Sequence, residues 1–92
     1  MIVRIAGEGQ FRVPDEEVSQ LNQLDNQAVA AVEAQDEAKF NELWQQMLSL
    51  VASAGEAVPD DELIESDVIM PPRDISFEEA GAEFTGEGLI PD

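Results

Sequence analysis

The period of hydrophobic and polar positions shifts along this chain, and each shift predicts an element. Residues 2–5 and 10–13 alternate apolar and polar side chains, the period of a β-strand. Gly7-Glu8-Gly9 lies between them, and its glycines can supply the positive φ of a tight turn, so 1–13 is predicted to form a β-hairpin. With those strands paired, Val3, Ile5, Phe11 and Val13 share one face, while Arg4 and Arg12 share the other. The period then lengthens. Pro14-Asp15-Glu16-Glu17 is a helix start, with a proline and three carboxylates where the positive end of a helix dipole favours them. Val18, Leu21, Leu24, Ala28 and Val32 follow at helical spacing, predicting a helix from about Asp15 to Ala34. Gln35-Asp36 interrupts the pattern and Asp36 can cap a second helix. There Phe40, Leu43, Trp44, Met47, Leu48 and Val51 form one stripe that Gly55 ends. So short a connection predicts an antiparallel helical pair over 15–54.

From residue 56 the periodicity fades into prolines, acids and isolated aliphatics, which predicts an extended segment over 56–92. Leu63-Ile64 and Val68-Ile69-Met70 are apolar enough to dock on the helices or to add a strand, and Pro71-Pro72 can continue neither element. Ser76-Phe77-Glu78-Glu79 matches a capping box and predicts a short helix from about Phe77 to Phe84. Leu89-Ile90 would be a terminal anchor. The expected fold is therefore α+β: one small domain over 1–92, with an N-terminal β-hairpin packed on an antiparallel helical pair, an extended acidic segment and a short C-terminal helix.

Charge narrows the range of partners. The 92 residues carry 21 acids against Arg4, Arg12, Lys39 and Arg73, for a net charge of -17. Such a surface repels nucleic-acid phosphate and anionic lipid and favours basic protein surfaces, though the same acidity also suits solubility or a salty cytoplasm. The charge is uneven: 1–13 is the only net positive segment, and twelve acids fall in 56–92. On the hairpin, Arg4 and Arg12 read either as a small basic spot or as a solvated pair neutralised by nearby acids. The stripe on the second helix reads as core, or as a groove for a partner helix. Its polar face has Lys39 as the lone cation, whereas membrane-surface helices present several.

No catalytic chemistry is visible. The chain has no His, Cys or Tyr to serve as a base or nucleophile, and Lys39 falls among exposed positions. Asp60, Asp61, Glu62, Glu65 and Asp67 crowd one stretch, but their spacing fails the calcium-loop pattern. No catalytic residue, cofactor or metal site is expected. With no signal pattern at Met1 and no long apolar run, the expected compartment is the cytoplasm, with membrane contact only through a partner.

Several stretches together resemble a known family. They are the opening run Met1-Ile2-Val3-Arg4-Ile5-Ala6-Gly7-Glu8-Gly9-Gln10-Phe11-Arg12-Val13-Pro14-Asp15, the helix ending near Gly55, and Pro59-Asp60-Asp61-Glu62-Leu63 with Ser66-Asp67. Pro71-Pro72, the box from Ser76 to Glu79, and Glu87-Gly88-Leu89-Ile90-Pro91 complete the set. The combination resembles the PspA-associated (PspAA) proteins. Glu65 in place of a proline, the Ala80-Gly81 step and the closing Asp92 depart from that pattern.

The resemblance implies a companion of PspA, the phage-shock protein whose membrane-remodelling polymers are similar to ESCRT-III, and hence a role in the envelope stress response. On that reading the chain is a non-enzymatic adaptor or regulator binding a PspA-like protein. The residues themselves leave open a homodimer formed through the hairpin edge. The candidate interaction residues are Arg4, Phe11 and Arg12 of the hairpin and Leu89 and Ile90 of the terminus. The alternative is an acidic inhibitor that mimics nucleic acid in a basic protein cleft.

Overall fold

The computed structural model describes residues 1–59, 61–62, 64–84 and 88–89. Strand β1 (Ile2–Ile5) pairs antiparallel with β2 (Gly9–Arg12), with Val3 opposite Phe11 and Arg4 opposite Gln10. Gly7 and Gly9 adopt φ of 83° and 98° at the turn, a region in which a Cβ would clash with its own backbone. The second strand ends one residue earlier than the alternation predicts, yet Val13 still turns inward and is buried. Its amide donates to the Met1 carbonyl, so pairing continues past the strand.

Helix α1 (Asp15–Glu33) and helix α2 (Glu37–Ala54) form the antiparallel pair. A Schellman turn joins them: the Gln35 amide donates to Val32 O and the Asp36 amide to Ala31 O. Gln35 takes the left-handed φ of 58° that glycine usually supplies there. Asp36 caps α2 by accepting from the Lys39 amide at 3.1 Å. All six residues of the predicted α2 stripe are buried. On α1, Leu21 and Ala28 are buried as expected, whereas Val18, Leu24 and Val32 are only half-buried.

The segment after α2 contains two strands. β3 (Glu56–Ala57) pairs antiparallel with β2, and β4 (Val68–Met70) pairs in parallel with β1, giving the order β3-β2-β1-β4. Both edges of the hairpin are thus taken within the sheet. Val68 and Met70 turn into the core beside Val3 and Ile5, while Ile69 points out beside Arg4.

Helix α3 (Phe77–Glu83) starts at the predicted box, with both reciprocal Ser76–Glu79 hydrogen bonds present. It ends one residue before the expected Phe84, whose ring instead packs on Phe40 and Trp44 at centroid distances of 5.1 and 5.7 Å. Ala80 is fully buried at this contact and Gly81 has open space beside it, so the helix forms despite the departure at those two positions. The Trp44 indole donates to the Arg73 carbonyl at 3.2 Å, which anchors the chain leading into α3.

Candidate functional site

The alternation of β1 and β2 leaves one sheet face without a helix layer. Two cross-strand rows define it: Ile69, Arg4 and Gln10 in one, Ile2, Arg12 and Glu56 in the other. The described residues between 58 and 67 run across this face as a strap. Gln10 donates its side-chain amide to Ile64 O and to Ser66 Oγ, both at 2.8 Å. Arg12 donates to Glu62 Oε1 at 3.2 Å. Asp67 grips the start of β1 from both sides, accepting the Ile2 amide on Oδ2 and donating its own amide to Ile2 O.

A depression of about 130 Å³ remains between strap and sheet, walled by Arg4, Gln10, Val58, Pro59, Glu62 and Ile64. Ile69 stands next to it with 66% of its surface exposed, the one large exposed hydrophobic among the described residues. Among those residues no strand lies beyond β4, so its outer edge is open.

The four candidate interaction residues among the described ones are not gathered into one place. Arg4 and Arg12 share the outer face, as the period-two pattern requires, but Glu62 already occupies Arg12. Among the described residues no acid lies within ion-pair distance of Arg4. Phe11 lies on the inner face, half-buried against the core and opposite Ala57. Leu89 is half-buried and held on α1, where its amide donates to Asp25 Oδ1 at 3.0 Å. Ile90 lies outside the described residues.

Asp25 is the residue that the apolar pattern missed. It sits one turn after Leu21 on α1 with no exposed surface, and it holds the Gly88-Leu89 turn. Gly88 has a φ of 81°, and a Cβ there would lie 2.6 Å from Asp25 Oδ2. The glycine is thus required by both its backbone angle and its neighbour. The signal available in the sequence was a lone acid at an inward position of the α1 stripe, between Leu21 and Ala28; its partner in the closing Gly88-Leu89 turn is 64 residues away and no spacing rule connects the two.

Elsewhere the cations are matched by acids. Arg73 makes two hydrogen bonds to the Glu8 carboxylate, at 3.0 and 3.2 Å. That hydrogen bonding raises the Arg73 pKa above its ordinary value, with a smaller Coulombic contribution from Glu8, against an opposing desolvation effect. No group of three or more His, Cys, Asp or Glu side chains among the described residues could hold a metal ion. No helix of the described residues is long and apolar enough to cross a membrane.

The family model described as PspA-Associated protein (PspAA) matches residues 1–92. The chain belongs to the PspAA family. The match covers every stretch that carried the resemblance, from the hairpin to the closing Gly88-Leu89. No curated protein and no solved structure matches the sequence or the fold. For this PspAA protein, then, the surface itself must say how a partner would be met. Among the described residues, the sheet's outer face combines an open strand edge, the exposed Ile69 and Arg4 beside the strap.

Proposed function

We propose that this PspAA protein is a non-enzymatic adaptor that binds a PspA-like, ESCRT-III-like membrane-remodelling protein in the envelope stress response. The observation that carries the reading is the family match over residues 1–92. The physical support comes from the charge and from the open face of the sheet.

A net charge of -17 steers the chain towards basic patches on a partner, and steering of this kind acts on the association rate and falls with salt. Specificity needs a shaped contact as well. The open edge of β4 with Ile69 and Arg4 beside it supplies one, since an added strand gains main-chain hydrogen bonds from the edge and side-chain selectivity from the exposed row. In this role Arg4 and Ile69 contact the partner directly, Arg12 and Glu62 hold the strap in place, and Phe11 and Leu89 support the fold.

The nucleic-acid mimic is disfavoured by what two acids of the strap, Glu62 and Asp67, are doing. A mimic presents free carboxylates in a rigid array, whereas Glu62 is paired with Arg12 and Asp67 is bonded to the Ile2 backbone. Calorimetric titration of the PspA-like protein with wild type, Arg4→Ala and Ile69→Ser tests the assignment. Each variant should weaken binding about tenfold or more while keeping the wild-type far-UV spectrum. Unchanged affinity in both would remove the sheet face from the interface.

A further inference from the structure

The exposed side of the helical pair lacks the charge that covers the rest of this chain. From Val18 to Val32 the one charged residue is Asp25, which is fully buried, and from Leu43 to Ala54 there is none. With 21 acids in 92 residues, a stretch this long would ordinarily carry several. The exposed positions hold amides and hydroxyls instead. Gln20, Gln45, Gln46, Ser49 and Ser53 line a groove of about 360 Å³ between α1 and α2, with the half-buried Leu24 and Leu50 at its floor.

Helix propensity does not account for the choice, because Gln and Glu are nearly equal in it and similar in size. What the substitution changes is charge. A face built for a basic partner would carry Glu, which attracts such a partner, so a Gln face suits an occupant that is neutral or itself acidic. The acidic chain already in hand is this one. Two copies bearing -17 each can approach closely only where neither presents carboxylates, and a two-fold dimer places the same face on both sides of the contact.

We infer that the α1–α2 face is a homodimer interface, at which two copies pack their uncharged grooves together as a four-helix bundle. Leu24 and Leu50 interdigitate across the two-fold axis, and the glutamines hydrogen-bond across the rim. This face is separate from the sheet face proposed for the PspA-like partner, and the dimer stands or falls without it.

Sedimentation equilibrium of the full chain, at physiological salt and at roughly 1 M salt where the Debye length falls to about 3 Å, reads the oligomeric state directly. The expected species has twice the 10.0 kDa mass of one chain, and salt tightens it by screening the remaining repulsion. Gln20→Glu combined with Gln46→Glu keeps shape and helix propensity but places carboxylates in the contact. It should weaken the dimer by about tenfold or more at low salt, with partial recovery at high salt and an unchanged far-UV spectrum and melting profile. A monomer at every concentration and salt overturns the inference and leaves the face to a neutral helix of another protein. A dimer that the charge variant leaves intact, or that Ile69→Ser dissolves instead, also overturns it.

Discussion

Replacing Gly88 by alanine tests the contact that ties the terminal turn to α1. Two costs arise at that position. The backbone φ of 81° lies in the left-handed region, where an L side chain costs about 1–2 kcal/mol. The new Cβ would also fall 2.6 Å from Oδ2, 2.8 Å from Oδ1 and 2.9 Å from Cγ of Asp25, whereas ordinary carbon–oxygen contact begins near about 3.3 Å. Relief requires the turn to lift away from a fully buried carboxylate, which breaks the Leu89 N–H to Oδ1 bond. A hydrogen bond to a charged group is worth about 1.5–3 kcal/mol net.

Gly88→Ala should therefore cost about 3–5 kcal/mol in wild type. With Asp25→Ala already in place, the clash and the bond are both gone, and the same change should cost only the backbone term of about 1–2 kcal/mol. Urea denaturation of the four proteins of this cycle gives the coupling directly. In thermal melts the wild-type-background loss amounts to about 12 °C or more, because a domain of this size shifts about 4–8 °C per kcal/mol. Equal costs of Gly88→Ala in the two backgrounds, to within about 0.5 kcal/mol, would refute the contact.

Three further perturbations probe other parts of the fold. Gln35→Gly should stabilise the protein by about 0.5–1 kcal/mol in urea titrations, because Gln35 bears a left-handed φ of 58° at the Schellman turn. Ser76→Ala should cost about 1 kcal/mol and loosen α3 in hydrogen exchange, since the hydroxyl that accepts the Glu79 amide is lost from a helix of seven residues while the backbone bond to the Glu79 carboxylate remains. Arg12→Ala and Glu62→Ala should each change global stability by less than about 1 kcal/mol, as half-exposed ion pairs do, and either should increase proteolytic cleavage in residues 58–66. A stability loss well above that value would mean that the strap contributes to the core.

Local chemistry made much of this fold legible. Two glycines fixed the hairpin turn, Asp36 the start of α2 and Ser76 the start of α3, because each satisfies backbone groups within a few residues of itself. The α2 stripe was equally clear, since six large apolar residues at helical spacing have no other face to bury. What stayed hidden depends on distant partners. β3 is only Glu56–Ala57, exposed on both residues, and its pairing with β2 comes from the backbone rather than from apolar side chains. The strand character of Val68–Met70 could be read as one of two options, but its parallel alignment with β1 joins residues some 65 positions apart.

The candidate site divides along the same line. Alternation placed Arg4 and Arg12 on one face and Phe11 on the other. It could not show that Glu62 would reach back to Arg12 and leave Arg4 as the cation facing outward. Helical spacing puts Asp25 on the buried stripe of α1, four residues after Leu21 and three before Ala28, although its residue type belongs to the surface. Only the return of the terminal turn to α1 explains why a carboxylate is buried there.

The central claim is that this PspAA protein binds a PspA-like protein and that charge helps to bring the two together. Size-exclusion chromatography of the chain, alone and mixed with the PspA-like protein of the same cell, at low and at high salt, tests it most directly. The account predicts co-elution at low salt that weakens as salt screens the -17 charge. Separate elution in both conditions would contradict it.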